Sequence, residues 1–575
     1  MSREALHAAG AFALVAALGF DGGGYAPPAW GWSSVVLFAV LAVLIARGVG
    51  RPRRAALVLV GALAGLAAWA AASIAWSSHV SASILDVQRT VLYVGAASLF
   101  VLARSGPALP AGVLGAVTLL AASGLTSVED GVRLAEPIGY TNGMAILAVL
   151  GLLIAVGFAA RASRTGAAGL AAATGPMLAA TLYFTFGRGA WLALGAGLLV
   201  AVAVGPGRLQ LAATALVLAV PAGLAVLAAD RLGASASFTA LLVLLSALSA
   251  LAPFALRLST TVYRPSQTAR RAFAAALVAV PVVVSVAALA KVGGPSGAYD
   301  AFKSTPSPTH GDPSGRVFSL SGSNRADYWT VAWESYADHP VLGAGAGTYA
   351  RTWLRERPVP QPVVDAHSLY LEVLSELGPF GLVLLLLALA APLAARRTHW
   401  TPVALAPYAA FLAHAAQDWD WELPVVTVSA LACGTALVAG QTSSRLPRVV
   451  AVLPAGLCIL AALAFLGNQA VERSVEASNR LDWREAANAA RRARTLQPWS
   501  PQPWRLLGEI ELAEGSLPAA RRYFRQGLRE DRDDWELWIG LALASDGAAR
   551  QAALAEVHRL NPMSPELDEL GFTGE

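Results

Sequence analysis

Apolar stretches of bilayer-crossing length recur along this chain of 575 residues, and they decide what it can fold into. They lie near 6–20, 31–47, 55–76, 91–103, 109–125, 143–160, 167–185, 190–205, 209–228, 236–256, 272–291, 379–395, 401–416, 424–440 and 449–467. A helical span needs about 20 apolar residues, with a range of about 17–25. The fourth and thirteenth stretches are the short ones. Lipid offers the peptide groups no hydrogen-bond partner, so each segment must satisfy its own backbone as a helix. Charged residues make up 14% of the chain and hydrophobic ones 56%, whereas a soluble domain carries about a quarter charged residues. The expected fold class is therefore all-α, a polytopic transmembrane helix bundle with a large extracytoplasmic loop and a C-terminal helical-repeat domain. Residues 1–291 hold about eleven spans, 292–378 an aqueous insert, 379–467 about four more spans, and 471–575 the repeats.

The basic residues orient the bundle. With the N-terminus inside, alternate loops hold Arg47, Arg51, Arg53, Arg54, Arg104, Arg161, Arg164, Arg208, Arg257, Arg264, Arg270, Arg271, Arg396, Arg397, Arg445 and Arg448. The opposite short loops hold only Arg89, Arg133, Arg188 and Arg231, so the count is sixteen against four. Cytoplasmic loops carry the excess of Lys and Arg, which puts the insert and the C-terminal tail outside. The first run, Leu6 to Phe20, lacks a cleavage site and reads as a first helix. Cys433 and Cys458 sit inside apolar runs and read as small packing residues.

Beyond Val471 the apolar residues become periodic. Ala486 and Ala520 are 34 apart, as are Ala493 and Gly527, and Trp504 and Trp538. That period with paired helices is similar to the tetratricopeptide repeat, over about 95 residues. Such repeats stack into a concave surface suited to a protein partner. The alternative is a helical tail that only packs on the outer loops.

The insert opens with a Gly-, Pro-, Ser- and Thr-rich stretch, Gly293 to Ser323, read as a lid or linker that includes His310. Helical spacing follows from Asn324 to Asp338, ending before Pro340. Gly343, Gly345 and Gly347 suit a tight turn with close backbone approach. A second helix is expected after Asp365 as its N-cap, with His367, Tyr370, Leu371 and Leu374 on one face. Cation, glycine turn and imidazole together suit an anionic, lipid-linked substrate.

Arg188 is the sharpest single residue, between Gly187 and Gly189 at the end of an apolar run. An arginine deep in a span costs about 2.5–3.5 kcal/mol and is a functional candidate by default. The alternative is an interfacial arginine snorkelling to headgroups. Arg325 would join Arg188 in a forked grip on a diphosphate, or stand as a surface cation beside Asp327. Arg89 is a third, weaker outer arginine. His367 is able to take a proton from a sugar hydroxyl, although a lone histidine is more often structural, and His339 reads as a cap. Asp418, Asp420 and Glu422 alternate with Trp419 and Trp421, which reads as an interfacial aromatic belt with solvated carboxylates, the alternative being a site for a cation or a sugar. No phosphate loop, zinc motif or serine elbow occurs.

At these residues the chain resembles the O-antigen ligase and polymerase superfamily of bacterial membrane glycosyltransferases. The matching elements are Tyr140-Thr141-Asn142, Gly187-Arg188-Gly189, Asn324-Arg325 with Tyr328-Trp329, His339 to Gly345, and His367-Ser368-Leu369-Tyr370 with Glu372 and Glu376-Leu377-Gly378. Gly187 stands where the family usually has Ser, and Ser368 where it often has Asn. The resemblance implies transfer of a polyprenyl-diphosphate-linked glycan to an acceptor hydroxyl at the outer face of the bacterial cytoplasmic (inner) membrane. Arg188, Arg325 and His367 would be catalytic, with Asn142, Arg89, Tyr328, Tyr370 and Glu372 binding substrate. It implies neither metal nor cofactor, no nucleic acid, and a glycan, lipid or protein acceptor. Two other classes stay open: a transporter or flippase, for which internal duplication would speak, and a non-catalytic assembly scaffold, which would tolerate loss of Arg188 and His367.

Overall fold

The computed structural model describes residues 2–103, 106–129, 131–204, 207–260, 266–304 and 321–572. Arg104, Arg264, His310 and most of the second half of the expected lid lie outside them. All fifteen expected spans fall on helices. Among the described residues, eleven helices are long and apolar enough to cross a membrane, and Arg188–Val204 and Pro424–Val438 are apolar but shorter. This is a multi-pass, all-helical membrane bundle. One helix, Thr141–Arg161, is buried along nearly its whole length. It packs against Gly175–Thr185, Arg188–Val204, Thr401–His414 and Pro424–Val438. Its small residues allow the close approach. A Cβ on Gly157 would come within 2.7 Å of the Val403 backbone.

A two-stranded ribbon, Gly50–Pro52 against Gln441–Arg445, closes one end of the bundle and joins two of the basic loops. The insert covers the other end. Its first part is helical, Gly294–Lys303, rather than a loose lid. Helix Arg325–Asp338 forms as expected, from Asn324 to the residue before His339. It buries Tyr328, Val331 and Ala332 against Tyr349, Trp353 and Ala366, a small apolar core of the insert's own. Tyr349 Oη donates to the Tyr328 carbonyl at 3.0 Å, and Trp353 Nε1 to the Gln361 carbonyl at 2.9 Å.

The glycine turn docks the insert on the helix that carries Glu376. Gly345 N donates to the Glu376 carbonyl at 2.8 Å, and the Glu376 carboxylate accepts from Gly347 N and Tyr349 N at 2.8 and 2.9 Å. Gly343 has φ +74°, and a Cβ there would lie 2.3 Å from the Glu376 carbonyl oxygen. Gly343→Ala combines left-handed backbone strain with overpacking, each of roughly 1–3 kcal/mol. It should lower the melting temperature in detergent clearly more than Gly139→Ala, where φ is +80° but nothing lies within 4 Å.

The last spanning helix, Val452–Asn479, runs unbroken from its apolar stretch into the repeats. The 34-residue period falls on helix contacts. Ala486, Ala493 and Ala520 are fully buried, and a Cβ on Gly527 would meet Leu537 at 2.7 Å. The repeats also touch the insert. Arg351 is ion-paired with Asp531, and Arg357 Nη2 donates to Asn561 Oδ1 at 2.7 Å.

Candidate functional site

Where the insert meets the bundle, a cavity of about 450 Å³ opens. Four elements bring polar side chains to it. The start of Thr141–Arg161 supplies Tyr140 and Asn142. A break at Phe186, in the left-handed region at φ 51°, ends one helix so that the next begins at Arg188. Helix Arg325–Asp338 supplies Arg325, and the loop before Leu369 supplies His367.

Asp418 is the hub. It is 1% exposed, and its carboxylate accepts from Tyr140 Oη at 2.6 Å, Asn142 Nδ2 at 2.7 Å and Arg325 Nη2 at 3.0 Å. Burial alone would raise this carboxyl, but Arg325, His414, His367 and the Tyr140 hydroxyl reverse the effect and hold it at about 2. Arg325 also donates from Nε to the Gln417 carbonyl at 2.6 Å and from Nη1 to the Gly322 carbonyl at 3.2 Å. It is a fixed cation, not a mobile surface group. Arg188 Nη2 donates to Ser323 Oγ at 3.1 Å. Arg133 adds a third guanidinium, donating to Asn142 Oδ1 at 3.0 Å and to the Thr185 carbonyl at 2.9 Å. Three guanidiniums and the Asp418 carboxylate thus line one cavity, and the guanidinium fork suits recognition of an anion.

His367 lines the cavity but is not on a helix. Its φ is 52°, Ser368 is the N-cap, and the helix starts at Leu369. Asp365 is not that cap. It turns inward, because the sharp bend at His367 carries the chain away from the helix axis. His367 stacks 5.0 Å from the Tyr328 ring and shares a hydrogen bond of 3.1 Å between Nδ1 and the Asp365 carbonyl. Burial lowers its pKa; Asp418 opposes this and Arg325 adds to it. Burial thus favours the neutral imidazole over the imidazolium.

Of the eight expected site residues, Arg188, Arg325, His367, Asn142 and Tyr328 line this cavity. The other three do not. Tyr370 Oη donates to the Leu412 carbonyl at 3.0 Å, which ties two helices together. Arg89 lies within helix Val80–Ala103, ion-paired with Asp86 and Glu422 and stacked 5.6 Å over Trp30. Glu372 accepts from Ala366 N at 2.8 Å. Asp365, Glu372 and Glu422 bring one oxygen each to within 4.8 Å of one another. Of these three acids, Glu422 is ion-paired with Arg89. Asp418, Asp420 and Glu422 are not solvated: all three are at most 5% exposed, because Arg325 pairs with Asp418, Arg89 with Glu422, and the His414 ring hydrogen-bonds to Asp420. Sequence reasoning missed Asp418, Arg133, Gln417 and His414. The compact acidic run at 418–422 was the available signal.

Residues 224–386 match the O-antigen ligase family model, and residues 501–544 match a tetratricopeptide repeat model. Arg325 and His367 fall inside the first match; Arg188 and Asp418 fall outside it. Among curated proteins none matches the chain.

Proposed function

We propose, on the premise that residues 224–386 form an O-antigen ligase domain, that this protein moves a polyprenyl-diphosphate-linked glycan onto an acceptor hydroxyl at the outer face of the bacterial cytoplasmic membrane. The observation that carries this reading is the meeting of Arg133, Arg188 and Arg325 with His367 in one cavity at the insert end of the bundle. Arg188 and Arg325 grip the diphosphate and stabilise its charge as the anomeric C–O bond breaks. Because Arg325 is already fixed by Asp418 and Gln417, little reorganisation is needed at that moment. Asn142 and Tyr328 line the sugar-binding space, and His367 orients or deprotonates the acceptor. The guanidiniums do the work that a metal would do elsewhere. The repeats, docked on the insert, offer a surface for a protein acceptor or an assembly partner.

Purified protein supplied with a polyprenyl-diphosphate glycan and candidate acceptors should release polyprenyl diphosphate, with chelator present or absent. Arg188→Ala, Arg325→Ala and His367→Ala should each slow release about 100-fold or more. Full turnover in all three variants overturns this assignment.

A further inference from the structure

A second histidine lines the same cavity with no role so far. His414 ends helix Thr401–His414 and is 1% exposed. Its Nδ1 donates to Asp420 Oδ2 at 2.7 Å, and Asp420 is itself 1% exposed. Among the described residues no hydrogen bond is recorded for Nε2. Asp420 therefore fixes the tautomer, leaving Nε2 as the ring nitrogen with a lone pair for the cavity. A carboxylate behind an imidazole orients the ring and stabilises the imidazolium that forms when it accepts a proton. His367 has only a backbone carbonyl in that place. Asp420 is held in turn, since its carbonyl accepts from Thr427 Oγ1 at 3.0 Å.

We infer that His414, backed by Asp420, is the catalytic base for the acceptor hydroxyl, and that His367 positions that hydroxyl. This rests on the glycan-transfer reading above and deepens it. In the step, the acceptor oxygen bonds to the anomeric carbon as its proton passes to His414 Nε2. The bond from that carbon to the phosphate oxygen breaks, and its electron pair leaves with the polyprenyl diphosphate. The imidazolium then returns its proton to water. The charged and titratable groups around His414 are its partner Asp420 and, lining the same cavity, Asp418 from the following loop, Arg325 from the insert, His367 before the helix that starts at Leu369, Arg188, Arg133 and Tyr140.

The test is the pH profile of turnover for wild type, His414→Gln, Asp420→Asn and His367→Gln, with polyprenyl diphosphate binding measured alongside. A base must be unprotonated, so wild-type kcat should fall on the acid side. His414→Gln should lose about 10²–10⁴ in kcat, keep donor binding within about threefold, and show no acid limb. Asp420→Asn, which keeps the shape of the pair, should lose kcat in the same direction and serves if His414→Gln folds poorly. His367→Gln should raise the acceptor KM and keep the limb. A His414→Gln or Asp420→Asn enzyme with near wild-type kcat, or an acid limb that vanishes in His367→Gln instead, overturns the inference while the transfer reading stands. A wild-type protein that releases no diphosphate, with donor bound, sinks the transfer reading itself.

Discussion

Asp418→Ala should abolish most glycan transfer and also loosen the insert end of the bundle. The side chain joins three elements that share no local sequence: Tyr140 and Asn142 at one helix start, and Arg325 on the insert. Removing one partner of a buried pair leaves the other charge uncompensated, at a cost of about 3–5 kcal/mol. Arg325 keeps some contact with the cavity, at 18% exposure, so the lower end of that range applies. Activity should fall further than stability, because Arg325 would no longer be aimed. Asp418→Asn separates the two effects: it keeps the shape and loses the charge. The pH dependence follows from a carboxyl held down at about 2 against an unfolded value of about 3.9. Its contribution is complete above the unfolded value and is lost only as pH falls toward the folded one. The gap in melting temperature between wild type and Asp418→Asn should therefore be flat from pH 8 to pH 5 and close below about pH 4. A gap that closes near pH 6 would contradict the assigned ion pair.

Much of this architecture is legible from local pattern. Long apolar runs leave no alternative to helices but do not set their ends: the stretch 91–103 is only the second half of helix Val80–Ala103. Helix Arg325–Asp338 is written between Asn324 and Pro340, and the repeats by a period of 34. Arg188 stood out because an arginine between apolar runs has few places to go, whereas Arg325 stood out mainly through the family resemblance and Arg133 not at all. What local pattern does not carry is the partner of a charge. Tyr140 and Asp418 are 278 residues apart, yet share a 2.6 Å hydrogen bond. Read alone, the run Asp418 to Glu422 looks like a wet aromatic belt, because nothing nearby neutralises it. Arg89 fails similarly in the opposite direction: its partners Asp86 and Glu422 satisfy it internally, so it is not left over for substrate. The start of the helix after His367 was misread because Asp365 is a good cap by type. Its carboxyl instead joins the acids around Arg89, and the bend at His367 puts Ser368 at the cap.

Arg89→Met should be the most destabilising single change in the bundle. The side chain serves Asp86 and Glu422 directly, with Asp365 and Glu372 beside Glu422. Methionine preserves the apolar contact with Trp30 but strands several carboxyls in one buried space. A loss of about 3–5 kcal/mol at pH 8 is expected. Asp365 gives the sign of the pH dependence. Burial pushes its carboxyl up to about 7, with Arg89 pulling down and Asp418 and Asp86 pushing up. A carboxyl raised above its unfolded value binds its proton more tightly in the folded chain, so stability falls as pH rises from about 4 through about 7. Without Arg89 the pull downward is gone, and that window extends to higher pH with a steeper slope. Melting temperatures of Arg89→Met should thus approach wild type at pH 5 and drop sharply by pH 8. Adding Asp365→Asn should recover part of the loss at pH 8 and little at pH 5. Transfer should fail in parallel, since this cluster anchors both the loop bearing His367 and the loop bearing Asp418. An Arg89→Met protein that melts like wild type at pH 8 would mean that the acids are neutral without their arginine, and that the two loops are held by packing alone.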